Sequence, residues 1–176
     1  YNVGRKDIKY YALRLFEVYR IAVSDSLFFA SKYMMDNSVR KYSAFRKSTY
    51  LPLGIDKAEK SPITLKAEEK SIQNMINNDI KNGYKVIFCI RRIVSRTGVL
   101  HLVDMMNLLK DKKVKLYIGG TGTHLEALKH KVKELQLSDR VIVLGLISDD
   151  AKNWIYQKSY LSIVPTRTLE GFCLSM

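Results

Sequence analysis

From residue 85 onward the chain repeats one pattern: a short, near-continuous apolar run, then a longer amphipathic segment. The apolar runs cover 85–90, 114–118, 141–144 and 161–164. Between them, 99–110, 123–135 and 149–156 carry apolar residues at helical spacing. A strand that is apolar at nearly every position must be covered on both faces, which an antiparallel meander with one wet face cannot provide. The pattern predicts an α/β domain with a Rossmann-like open parallel sheet and helices on both faces. Right-handed crossovers then bring every strand's C-terminal end to one edge, where such sheets bind ligands.

The segment before this domain is less regular. Ile8, Tyr11, Ala12, Leu15 and Tyr19 predict an amphipathic helix over 6–20, followed by a short β-like run over 19–23. Ser24, Asp25 and Ser26 offer helix caps, so 27–35 reads as a further helix. Residues 49–53 read as extended and end at Gly54. A polar stretch over 56–61 with Pro62 behind it reads as a linker. A helix over 64–82 then ends at Gly83, a residue favoured just past a helix C-terminus. The expected organisation is a partial N-terminal α/β piece (1–56), a linker (57–63) and an incomplete α/β domain (64–176). Both ends read as cuts, because Tyr1 to Gly4 resembles neither an initiator nor a signal peptide and Met176 falls in an apolar stretch.

The formal charge is +13. Such a balance favours anionic partners or a solvated basic surface, and speaks to partners more than to fold. No aromatic platform accompanies the charge, so nucleic acid is not an expected partner. Cys89 and Cys173 are far apart, with no metal spacing and no disulfide framework, which fits a reducing compartment. No stretch reaches the roughly 18 to 20 apolar residues of a membrane span. His101, His124 and His130 read as surface or packing residues without a carboxylate or cysteine at ligand spacing, so no metal site is expected.

The loops after the strands carry the chemistry. Arg91 to Gly98 follows the first, Gly119 to Thr123 the second, Gly145 to Asp149 the third, and Pro165 to Phe172 the fourth. Arg92 and Arg96 suit bidentate contact with phosphate oxygens next to a helix N-terminus, and equally suit a solvated surface. Gly120-Thr121-Gly122 opens like a dinucleotide fingerprint, but the position for the third glycine is Leu125, and a tight turn explains the glycines as well. Glu170 fits both an acceptor for vicinal sugar hydroxyls and an ordinary helix N-terminal acid.

Taken together, these loops resemble the C-terminal domain of the family 4 (group 1) glycosyltransferases, retaining enzymes of the GT-B architecture. Arg92-Ile93-Val94-Ser95-Arg96-Thr97-Gly98 is similar to that family's R-[LI]-x-x-x-K-G loop. Leu116 to Gly122 is similar to its strand ending in G-x-G, and Arg140 to Gly145 with Ser148-Asp149 to its R-V-x-F-x-G segment. Glu170 to Met176 resembles the opening of E-G-F-G-L. Residues 1–56 are similar to the end of the acceptor domain, where Ala22-Val23-Ser24 and Leu51 to Asp56 stand at V-S-x and I-P-N-G-[IV]-D.

The resemblance implies a hexosyltransferase-type enzyme that uses a UDP- or GDP-linked sugar as substrate and no cofactor or metal. Arg92, Arg96 and Thr97 would hold the diphosphate; Gly120, Leu144, Gly145 and Leu146 the base and ribose; Glu170, Gly171, Phe172, Cys173 and Leu174 the sugar. Glu170 and Arg92 would be catalytic. The implied acceptor is a glycan or lipid-linked acceptor in cell-surface polysaccharide or glycoconjugate synthesis, at a cytoplasmic site peripheral to an anionic inner membrane face. The Lys/Arg-rich helix at 5–20 would meet that surface. Two departures stand out: Thr97 replaces the loop lysine, and Cys173 replaces the second glycine. The family's second glutamate would fall just past Met176. These departures motivate an alternative, a catalytically impaired or partner-dependent nucleotide-sugar-binding module.

Overall fold

The computed structural model describes residues 8–41, 47–54 and 63–167. The chain forms two compact units that divide between Lys57 and Ala58.

In the first unit α1 (Ile8–Ala22) is followed by β1 (Leu27–Phe29), α2 (Lys32–Lys41) and β2 (Ser48–Tyr50). β1 and β2 pair in parallel, with Leu27 opposite Ser48, and α2 is the crossover that parallel pairing requires. Two expectations are corrected. The β-like run at 19–23 is largely the last turn of α1, where Ile21 continues the helical periodicity and is buried. The helix expected over 27–35 begins as a strand, because the Leu27-Phe28-Phe29 run pairs with β2 and the helix starts only at Lys32. A three-residue apolar run has no periodicity with which to choose between these outcomes.

The second unit follows the expected alternation. α3 (Ala67–Lys81) leads into β3 (Lys85–Ile90), α4 (Val99–Leu108), β4 (Val114–Gly119), α5 (Leu125–Glu134), β5 (Val141–Gly145), α6 (Asp149–Lys158) and β6 (Leu161–Ser162). The four strands form one parallel sheet in the order β5-β4-β3-β6. Side chains along the strands alternate between two cores. Ile87, Cys89, Leu116, Ile118 and Val141 join Val99, Val103, Met106, Leu128 and Val132 on the face covered by α4 and α5. Val86, Phe88 and Tyr117 join Ile76, Trp154 and Ile155 on the face covered by α3 and α6. Full burial of a side chain such as Phe88 contributes about 1.5–3 kcal/mol. Among the described residues, no helix is long and apolar enough to cross a membrane.

Polar groups near the N-terminal ends of the strands are closed on one another. Asp79 on α3 accepts from Lys115 Nζ at 2.6 Å and from the Tyr117 hydroxyl, tying the helix to β4. Burial, helped by the Asp79 carboxylate, pushes the Tyr117 hydroxyl well above its ordinary pKa. Arg140 is only 9% exposed. Its guanidinium donates to the carbonyls of Leu109, Lys110, Lys112 and Val114, fastening the turn between α4 and β4 to the start of β5.

Candidate functional site

The strand order fixes where a ligand crevice forms. From β3 the chain winds outward through β4 and β5, then returns to place β6 on the other side of β3. Crossovers therefore leave in opposite directions from β3, and it is beyond the C-terminal strand ends at such a point that open α/β sheets hold their ligands. The loops after β3 and β6 meet at this point. Arg91 Nη1 donates to the Pro165 carbonyl at 3.0 Å and to Thr166 Oγ1 at 2.6 Å. The Arg167 N–H donates to the Arg96 carbonyl at 3.1 Å.

The adjacent arginines thus have different environments. Arg91 braces two loops, whereas Arg92 is exposed, as is Arg96, and among the described residues neither of these two guanidiniums has a hydrogen-bond or ion-pair partner. The loop that carries them is itself anchored. Ile93 is buried in the α4–α5 core, and its N–H donates to the Thr121 carbonyl at 2.8 Å. The turn Ser95–Thr97 then delivers the chain to the N-terminus of α4.

Thr97 does not join the exposed arginines. It is 2% exposed, and its hydroxyl lies 2.8 Å from the carbonyls of both Arg92 and Val94. The expectation that it contacts diphosphate is corrected: its oxygen is committed to the loop backbone, and it acts as a brace beneath Arg92.

The glycines after β4 are needed by the protein itself. A Cβ at Gly120 would lie 1.9 Å from the Arg91 carbonyl oxygen, and one at Gly122 2.2 Å from that of Ile93. The Gly120 N–H donates to the Gly145 carbonyl at 2.7 Å. The close approach that demands glycine is therefore the β3 loop, and the amide of Gly120, a residue expected at the base and ribose, is already paired. Near the end of β5, Leu144 is partly buried against the α3–α6 core, while Leu146 just past the strand is 83% exposed. Gly145 sits at φ 71°, where the β4–β5 register shifts.

One buried acid next to this loop has no counterpart in the sequence-based expectations. Glu69 in the first turn of α3 is 8% exposed. Its Oε1 accepts the Ser148 N–H at 2.9 Å and its Oε2 the Lys66 N–H at 3.1 Å. Burial raises its pKa, but the hydrogen bonds from Ser148 and Lys66 outweigh this, so the carboxyl is held below the usual range. The spacing of Glu69 from Lys66 suits a helix start, yet only the fold brings Ser148 to it.

The histidines are corrected in one respect. His101 lies 3.6 Å from Asp104 and His130 3.8 Å from Glu134, so carboxylate neighbours exist, as exposed pairs within single helices. Asp104 also pairs with Lys131 at 2.6 Å, which first among its contacts lowers its pKa. Burial pushes the Cys89 thiol up to about 12, so it is a packing residue.

The described edge thus presents two free arginines, a glycine loop and an exposed turn after β5, all on a doubly wound sheet. Residues 70–176 match the family described as glycosyl transferases group 1. The chain belongs to the group 1 glycosyl transferases.

Two curated relatives of this glycosyltransferase chain are alpha-monoglucosyldiacylglycerol synthase of Streptococcus pneumoniae, 28% identical over 123 residues covering 68% of the chain, and mannosylfructose-phosphate synthase of Agrobacterium fabrum, 25% identical over 144 residues covering 76% of it. The chain spans 27% and 31% of the lengths of these relatives. A solved structure of Anabaena HepE with UDP and glucose shares the fold, with a TM-score of 0.71 at 14% identity over 91% of this chain and 43% of that one. In this GT-B-type domain the family-like segments divide by role. Arg92 and Arg96 are exposed at the ligand edge, while Arg140 and Thr97 are buried scaffold. Glu170, Gly171, Phe172, Cys173 and Leu174 lie outside the described residues.

Proposed function

We propose that this chain is the donor side of a retaining glycosyltransferase. The whole protein would move a hexose from a UDP- or GDP-linked sugar to a glycan or lipid-linked acceptor. The observation that carries this reading is the pair of exposed guanidiniums of Arg92 and Arg96, unpartnered among the described residues, past the C-terminal end of β3 and next to the N-terminus of α4. A cationic, amide-rich edge stabilises the charge that develops on a departing nucleoside diphosphate. Arg92 and Arg96 are the diphosphate contacts, the backbone around Leu144 to Leu146 meets the base, and Glu170 with the following amides meets the sugar. Thr97 contributes indirectly, by holding the Arg92 carbonyl.

The named relatives support a sugar-transfer reading and leave the acceptor open, since one name specifies a glycolipid and the other a sugar phosphate. A lipid-linked acceptor would place the protein at an anionic membrane face. α1 is the element suited to it, because it carries Arg14 and Arg20 and exposes Leu15, Phe16 and Tyr19.

The test is turnover. The full-length protein, incubated with UDP- and GDP-hexoses, should release nucleoside diphosphate, and the product's anomeric configuration by NMR should match the donor's. Inversion would refute retention. Nucleotide-sugar binding with no release under any donor and acceptor pair would favour the impaired-module reading that Thr97 and Cys173 motivate.

A further inference from the structure

We infer that Glu69, on the first helix of the donor unit, positions the nucleotide-base loop that follows β5. The inference rests on the donor-site reading above. It starts from how residues 145–148 are held. The Gly145 carbonyl accepts the Gly120 N–H, and Ile147 packs its side chain against Gly119. The Ser148 hydroxyl accepts the Ala151 N–H at 3.1 Å and caps α6. A further anchor is the Ser148 N–H, which donates to Glu69. Leu146 is the one residue of this turn that projects into solvent, at the ligand edge of the sheet.

Glu69 is built for this task. It is buried, both carboxylate oxygens accept a backbone N–H, and it sits in the first turn of α3 and beside the start of α6. Two helix N-termini favour negative charge there. A second bond joins the same elements, since the Thr64 N–H donates to Asp150 Oδ2 at 3.3 Å. The segment entering α3 and the start of α6 are thus fastened together behind the turn that carries Leu146. A neutral amide at Glu69 retains the shape but has one acceptor oxygen for two donors, so an NH2 group must face a backbone N–H. The turn then loses one of its anchors, and a base that contacts its backbone binds less tightly. The arginine loop has its own anchors at Ile93 and Thr97, so diphosphate contact is untouched.

The experiment is calorimetric titration of the full-length protein and its Glu69→Gln variant with UDP, GDP and inorganic pyrophosphate, with a thermal melt of each. Glu69→Gln should weaken the nucleoside diphosphate that the wild type binds roughly tenfold, as for loss of one charge-assisted hydrogen bond. Pyrophosphate affinity should stay within about twofold. In turnover, KM for the donor should rise with kcat retained, and Glu69→Ala should show a larger effect in the same direction. Unchanged UDP and GDP affinity in Glu69→Gln would overturn the positioning role and leave the donor site standing. Equal losses for nucleotide and pyrophosphate would also overturn it, in favour of general loosening. A wild type that binds pyrophosphate and neither nucleotide would remove the base site and this inference with it.

Discussion

The two ends of the parallel sheet treat their polar groups in opposite ways. Toward the N-terminal ends, Arg140 fills four carbonyls, and Asp79 closes on Lys115 and Tyr117. At the C-terminal ends, Arg92 and Arg96 are held out on a braced loop with their guanidiniums unpartnered among the described residues. Arg140 and Arg92 both stand in family-like segments, yet one completes the fold and the other is available to a ligand. Resemblance to a motif does not separate these roles, whereas the destination of each N–H does.

The contrast makes graded predictions. Arg140→Ala is expected to be the most damaging, because it removes a guanidinium, only 9% exposed, that holds the carbonyls of Leu109, Lys110, Lys112 and Val114 together. A loss on the order of 3 kcal/mol in chemical denaturation is expected. A loss below about 0.5 kcal/mol, the range of surface changes, would break the comparison. Thr97→Val keeps the shape of a buried brace and removes its hydroxyl. It should cost about 1 kcal/mol and weaken pyrophosphate binding only through Arg92. A larger fall in pyrophosphate affinity than Arg92→Gln causes would restore Thr97 as a direct ligand.

Glu69 sharpens the comparison from the acid side. Its folded pKa is lowered, so its contribution is present above the ordinary glutamate value of about 4.3 and is lost as pH falls through the lowered folded value. Glu69→Gln should therefore flatten the acid limb of stability below about pH 4.3 and leave the neutral-to-basic profile shape unchanged. Denaturation midpoints against pH check this, and an unchanged acid limb would contradict it.

The second unit was legible because its signals agree. Apolar runs of strand length, amphipathic helices between them and glycine-containing turns all specify one parallel sheet. The exchange of Leu27 to Phe29 from helix to strand shows where that legibility fails, since only pairing with Ser48 to Tyr50 decides it. The exposed position of Arg92 and Arg96 past the C-terminal end of β3 was legible from the strand pattern. Thr97 was misjudged because its burial depends on the Arg92 and Val94 carbonyls folding over it. Glu69 was missed because its second partner, Ser148, is distant in sequence and adjacent only once α3 and α6 pack on the same face. Long-range backbone partners leave no mark in residue spacing.

The central claim is that the exposed arginines at the strand C-termini, and not the buried one near the opposite edge, meet the donor diphosphate. The direct measurement is pyrophosphate and nucleoside diphosphate affinity of the full-length protein by calorimetry, with a thermal melt, for Arg92→Gln and Arg140→Gln. The account predicts that Arg92→Gln loses at least roughly tenfold in affinity for every diphosphate at an unchanged melting temperature, as a charge-assisted phosphate contact at an exposed site should. Arg140→Gln should lower the melting temperature while the folded fraction binds as the wild type does. Full diphosphate affinity in Arg92→Gln would contradict the account.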